Sequence, residues 1–306
     1  MFDEQYLRKK IKRLSECVWE GRAKGVEIDD WLSTFSDSGV NERHHMLHLL
    51  SNFLYFGIRE MRELLRAHFQ HTCLRPEVTK IRQNNGDTID IDFIDRELEN
   101  AIRRTRFLAV GNPSESGQHL LYYFRQENNL SSKLFPNQFE LPGFGANENH
   151  GEPFVDRYFF IDDMCGSGQQ IEQFSKNVIN TLSEAHPNAA IIYCPIFATT
   201  DGLDYTKENT AFSDVRCLMK LDASFKCFSP TSRFYENDSL RAEAEKICFY
   251  YGRILNANYP LGYRDSQLAI GFNHNTPDNT LPIFWAEHPD SLPGWSPIFR
   301  RYGKLT

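Results

Sequence analysis

The 306-residue chain has no apolar run long enough to cross a membrane. Its longest, Ala189 to Ala198, carries Pro195 inside it and falls well short of the roughly 20 apolar residues a spanning helix needs. It also lacks any CxxC pair. The seven cysteines, Cys17, Cys73, Cys165, Cys194, Cys217, Cys227 and Cys248, are odd in number and scattered, which argues against both a disulfide framework and a zinc ribbon. No internal repeat or low-complexity tract is evident. There is no excess of positive charge: the net charge is −7, and residues 81–306 hold 21 Lys/Arg against 29 Asp/Glu. The body of the chain therefore lacks the broad basic field of a duplex-DNA binder. No apolar leader follows Met1-Phe2-Asp3-Glu4, so a reducing cytoplasm is the expected compartment.

What is present is the composition of an ordinary globular protein, 41% hydrophobic and 25% charged. One basic cluster, Arg8, Lys9, Lys10, Lys12 and Arg13, reads as the solvated face of a helix. Leu7, Ile11, Leu14 and Val18 recur at helical spacing on the same segment. Ile28, Trp31, Leu32 and Phe35 predict a short second helix. From Glu42, the stripe Leu47, Leu50, Leu54, Ile58, Met61 and Leu65 predicts one long third helix ending at Arg75-Pro76. His44 and His48 lie one turn apart on it without a third ligand, so they read as a helix face and not a metal site. The apolar stripe of residues 1–80 is large enough to require burial on the remaining chain or on a partner.

After the turn Asn84-Asn85-Gly86-Asp87 the texture changes. Short apolar strands are expected at Phe107–Val110, Tyr158–Ile161 and Ala190–Cys194. They alternate with helices at Ile94–Arg104, Gln118–Gln126 and Gln169–Leu182. Such alternation predicts an α/β fold with a mostly parallel sheet flanked by helices. The expected division is a helical region over 1–85 and an α/β domain over 86–306. Ligands of such sheets bind at the carboxyl ends of strands.

The stretch from Arg157 to Ile171 carries the chemistry. An apolar strand runs into Asp162 and Asp163; then Cys165-Gly166-Ser167-Gly168-Gln169-Gln170 leads into a helix. Backbone N–H groups of such a turn and the helix N-terminus make an anion cradle. Two carboxylates just before it suit a ribose diol. Together they fit a 5-phosphoribosyl group. A Walker A loop needs Lys where Gln169 stands, and a dinucleotide fingerprint needs Gly where Ile171 stands.

On these residues the chain resembles the phosphoribosyltransferase superfamily, type I, whose signature is four apolar residues, two acids and a small-residue loop. The resemblance implies that Asp162 and Asp163 hold the ribose hydroxyls and that Cys165 to Gln170 form the 5′-phosphate loop. Gln169-Gln170 depart from the Gly or Thr of typical members. Pro113-Ser114-Glu115-Ser116-Gly117, after the first strand, match the pyrophosphate loop. Lys133 and Arg125 are candidates for neutralising the leaving group. Pro260–Leu268, Asn273–Trp285 and Trp295–Arg300, with Trp31-Leu32-Ser33-Thr34-Phe35, look like a divergent bacterial branch found in antiphage systems, some of them retron operons. The superfamily resemblance implies phosphoribosyl pyrophosphate or a nucleotide as ligand and substrate-borne Mg²⁺ with no assigned protein ligand; the branch implies an effector or accessory role. It also implies a protein or ribonucleoprotein partner of the retron reverse-transcriptase kind, and room for oligomerisation. Asn275, Thr276 and Asn279 read either as a hood over the base or as a network of Asx turns.

Two other readings stay open. The fold can serve as a non-catalytic nucleotide-sensing module. Alternatively, Asp162 to Gly168 looks like the Asp-Pro-Phe-Cys-Gly-Ser-Gly loop of S-adenosylmethionine-dependent aminomethyltransferases. Against the latter, Asp163 replaces the proline, and the catalytic [Asp/Asn/Ser]-Pro-Pro-[Tyr/Phe] motif is missing.

Overall fold

Asp3, Asp90, Thr199 and Asn237 each place a side-chain oxygen on a backbone N–H at the start of a helix, satisfying a donor the helix itself leaves open. The structure, a computed structural model, describes residues 3–35, 41–111, 116–144, 154–287 and 294–302. In chain order the first elements are α1 (Glu4–Cys17), α2 (Gly25–Ser33), α3 (Glu42–Ser51), β1 (Leu54–Phe56) and α4 (Ile58–His68). Next come α5 (Arg75–Asn84), α6 (Ile91–Arg103), β2 (Thr105–Ala109), α7 (Ser116–Glu127), β3 (Arg157–Cys165), α8 (Gln169–Phe174) and α9 (Asn180–Ala185). The last are β4 (Ala190–Thr199), α10 (Thr200–Asn209), β5 (Asp214–Val215), β6 (Met219–Leu221), α11 (Asp238–Leu255), β7 (Ile270–Phe272) and α12 (Pro282–Trp285).

The chain divides into two compact units, Met1–Met61 with Leu221–Thr306, and Arg62–Lys220. The expected boundary at 85/86 coincides with neither division. The reason lies in the first unit's core. Leu7, Ile11, Trp31, Leu47 and Leu50 share one buried cluster with Phe228, Ile247, Phe284 and Trp295. The N-terminal stripe is thus covered by the C-terminal segments, which the sequence pattern had assigned to the α/β domain. Trp31 stacks on Phe284 at 5.7 Å and donates its indole N–H to the Ile283 carbonyl at 2.9 Å.

The single long helix expected from Glu42 is also corrected. Asn52 ends α3 by donating to the His48 carbonyl. Residues 53–57 then alternate between buried and half-buried, the period of a strand. Leu54–Phe56 pair in parallel with Ile270–Phe272. Pro76 does not end the next helix. The chain widens through a π-helical turn at Phe69–Leu74, and Pro76 sits in the first turn of α5, where proline is tolerated.

In the second unit β2, β3, β4 and β5 form a parallel sheet in that order, and β6 also pairs with β4. Buried Tyr158, Phe160, Ile191 and Tyr193 lie on one face with Ile171, Val178, Ile179, Leu182 and Leu203. On the other, Phe107 stacks on Phe159 at 5.6 Å, and Phe69, Phe124 and Phe135 surround Phe107. This is the α/β parallel-sheet fold that the alternating pattern predicts. Two of the three expected strands run further than their apolar cores. β3 continues to Cys165 and β4 continues through Pro195 to Thr199. Among the described residues no helix is long and apolar enough to cross a membrane.

Candidate functional site

Because β3 extends to Cys165, Asp162 and Asp163 are strand residues, half-buried, and not members of a solvent-facing turn. Side chains alternate along a strand. Asp162 therefore follows Tyr158 and Phe160 toward one face. On the first face Asp162 meets Tyr193, which β4 sets opposite Phe160. The Tyr193 hydroxyl donates to Asp162 Oδ2 at 2.7 Å, and the Asp163 N–H donates to Asp162 Oδ1 at 3.0 Å. Burial and the adjacent Asp162 charge push the Tyr193 hydroxyl well above its usual range, so it remains a donor.

The turn proper is Gly166-Ser167-Gly168. Gly168 has φ +77° and precedes α8, a left-handed conformation that glycine adopts without strain. A Cβ there would lie 2.8 Å from the Tyr205 ring and 3.0 Å from both the Gly202 carbonyl and Thr206 Oγ1. Glycine is thus required at 168 by packing on α10 as well as by φ. Gly202 is tighter still, since a Cβ would lie 2.3 Å from the Gly166 carbonyl. Thr199 caps α10 by accepting from the Gly202 N–H at 2.9 Å, and its hydroxyl donates to the Gly166 carbonyl. The Tyr205 hydroxyl donates to Glu172 on α8. The turn is therefore held from beneath by α10, with Ser167 half-buried and Gln170 exposed. The Gln169 N–H reaches Ser167 Oγ only at 3.4 Å.

Cys165 faces inward. Its Sγ lies 3.5 Å from Thr206 Oγ1, and burial pushes the thiol up to about 11. The thiol is therefore not the reactive kind.

The remaining residues singled out in the sequence fall elsewhere. Pro113, Ser114 and Glu115 lie outside the described residues, and Ser116 opens α7. At Gly117 a Cβ would lie 2.7 Å from the Val110 carbonyl, so this glycine serves close packing of α7 on the end of β2. Arg125 lies over the Tyr122 ring and Lys133 is exposed in a short helical turn. Asn275, Thr276 and Asn279 belong to the first unit, where their side chains close turns. Asn275 Oδ1 accepts from the Thr276 and Tyr302 N–H groups, Thr276 Oγ1 donates to the Arg300 carbonyl, and Asn279 Nδ2 donates to Ser266 Oγ at 3.0 Å. His48 is buried and donates through Nε2 to the Phe234 carbonyl, more enclosed than a helix face.

Among the described residues no three His, Cys, Asp or Glu side chains converge as a metal-binding group. The donor set at the turn is two carboxylates, which suits a Mg²⁺ arriving on a phosphorylated substrate, an ion commonly held by one or two carboxylates plus phosphate oxygens.

Sequence reasoning missed Tyr193, Thr199, Gly202, Tyr205 and Thr206, all of which shape this site. The signal available was Thr199 followed three residues later by Gly202, directly after a buried strand, an N-cap at a strand end.

A central parallel strand carrying two acids, a left-handed glycine and a helix starting above it are consistent with a phosphoribosyltransferase-like α/β protein. Residues 28–301 match the model of the family PRTase-CE, and the chain belongs to that family. Among curated proteins none matches the chain.

Proposed function

We propose that the chain binds a 5-phosphoribosyl ligand, phosphoribosyl pyrophosphate or a nucleotide, at the end of β3. The observation that supports this most is the juxtaposition of Asp162 and Asp163 with the Gly166–Gly168 turn, glycine-bound on the side of α10. In this reading the 5′-phosphate sits on the backbone N–H groups of the turn and of the first turn of α8. Asp162 and Asp163 accept hydrogen bonds from the 2′- and 3′-hydroxyls.

In a transfer reaction the C1′–O bond to pyrophosphate breaks and its electron pair leaves with the pyrophosphate oxygen. A nucleophile forms the new bond at C1′ and loses its proton to solvent. The ribose ring becomes oxocarbenium-like between the two events, and the two carboxylates favour that developing positive charge. Mg²⁺, when bound, supplies neutralisation of the diphosphate, and Asp162 and Asp163 are the side chains that would contact it.

The resemblance to antiphage-system proteins supports a setting in the bacterial cytoplasm, as an effector or accessory beside a protein or ribonucleoprotein partner of the retron type. Gln169-Gln170 in the loop favour a second reading, a nucleotide-sensing module without turnover. Incubation with labelled phosphoribosyl pyrophosphate and Mg²⁺ separates the two. Pyrophosphate release supports transfer, binding without release supports sensing, and no binding refutes both.

A further inference from the structure

We infer that Tyr193 is the positioning residue of this site, holding Asp162 in one orientation and tying the acid pair to the loop that follows. The inference rests on the ribosyl-phosphate reading above. Both oxygens of Asp162 are located: Oδ2 by the Tyr193 hydroxyl at 2.7 Å and Oδ1 by the Asp163 N–H at 3.0 Å. The Tyr193 ring is 1% exposed, packs on Phe212 at 5.4 Å and sits in the middle of the apolar cluster. Phenylalanine would fill that volume equally well, so packing alone does not call for the hydroxyl.

The hydroxyl also neighbours the Cys165 thiol. From there Cys165 Sγ contacts Thr206 Oγ1 at 3.5 Å, and Thr206 Oγ1 donates to the Gly202 carbonyl at 2.7 Å. Gly202 is the residue against which Gly166 and Gly168 pack. Buried polar side chains thus line the core between Asp162 and the floor of the turn. Buried polar groups of this kind fix geometry where an apolar core would leave it loose. Here the geometry fixed is the spacing between the carboxylate that meets a ribose diol and the amides that meet its 5′-phosphate. The ligand class it selects joins a diol and a phosphate at that spacing, a ribose 5-phosphate unit.

The test is calorimetric titration of the full chain with two probes, ribose 5-phosphate and inorganic phosphate, for wild type, Tyr193→Phe, Asp162→Asn and the double variant. Tyr193→Phe is expected to weaken ribose 5-phosphate about tenfold, the scale of one hydrogen bond to a charged group, and to leave inorganic phosphate within about twofold. The double variant should bind no more weakly than Asp162→Asn alone, because both remove one coupled interaction. Unchanged binding by Tyr193→Phe, equal loss of both probes, or independent losses in the double variant would overturn the inference. So would a Tyr193→Phe chain that no longer folds, because the hydroxyl would then be structural. A wild type that binds neither probe removes the ribosyl-phosphate reading and this inference with it, whereas a binding wild type with an unaffected variant removes the inference alone.

Discussion

In the unit of residues 1–61 and 221–306, one group of buried polar side chains closes turns. In the unit of residues 62–220, another sits where β3 and β4 end. Thr276, Asn279, Thr280 and Ser266 are each less than a tenth exposed, and each is spent on a backbone group or on one another. Thr199, Thr206, Tyr193 and Cys165 are equally buried, yet they converge on one half-exposed pair of carboxylates and one glycine turn. Satisfied turns account for themselves as stability. Buried polar side chains that gather around half-buried acids do not, and for that reason the second unit carries the candidate site.

The largest effect expected from this contrast is on stability alone. Trp31→Ala removes a fully buried indole, its stack on Phe284 and its hydrogen bond to Ile283, at a cost of about 3–5 kcal/mol. Denaturant unfolding should show that loss while affinity for ribose 5-phosphate in the folded chain stays unchanged. A large fall in affinity would break the division of roles.

Next is a pH effect within the second unit. His68 is fully buried and donates from Nε2 to the Cys194 carbonyl at 3.0 Å. Burial lowers its pKa from 6.5 to about 4. A depressed folded value means the stabilisation is intact above pH 6.5 and is lost as the pH falls through about 4. The full amount is roughly 3 kcal/mol. Melting temperatures measured across that window should fall steeply in wild type and less steeply in His68→Gln. Equal slopes would show that other groups govern acid unfolding.

Smaller again is the effect of single acids. Asp162→Asn and Asp163→Asn should each weaken a ribosyl ligand about tenfold or more, from hydrogen bonds worth roughly 1.5–3 kcal/mol, with the melting temperature nearly unchanged for Asp163→Asn. If Asp163→Asn instead destabilises the chain and leaves binding intact, the acids are structural. Smallest is Asn279→Ala, expected to cost about 1 kcal/mol of stability through its bond to Ser266 and nothing in affinity. A selective loss of nucleotide affinity would restore Asn279 to the ligand as part of a hood.

The α/β alternation and the acid-then-glycine stretch were legible in the sequence because both are local patterns. Four apolar residues predict the strand at 158–161, and Gly168 marks the turn. The strand's extension through Asp162 to Cys165 was not legible, since polar residues continue it only because β4 supplies ladder partners as far as Ala198. The pairing of β1 with β7, 216 positions apart from Leu54 to Ile270, leaves no local trace, so Leu54 read as part of a helix. Pro76 read as a stop because a π-helical turn is invisible in a 3.6-residue period. The division into units leaves no local trace for the same physical reason: burial of Trp31 by Phe284 and Trp295 by Phe35 is a long-range fact. Tyr193 looked like one more core aromatic, and only the distance from its hydroxyl to Asp162 gives it a further role.

The central claim, that the end of β3 holds a ribose and its 5′-phosphate, is tested most directly by calorimetric titration of phosphoribosyl pyrophosphate with Mg²⁺ into wild type and into Asp162→Asn/Asp163→Asn. The account predicts saturable binding by wild type and a loss of about a hundredfold or more in the double variant, with both chains equally folded. Unchanged binding by the double variant, or no binding by wild type alongside tight binding of S-adenosylmethionine, would contradict it.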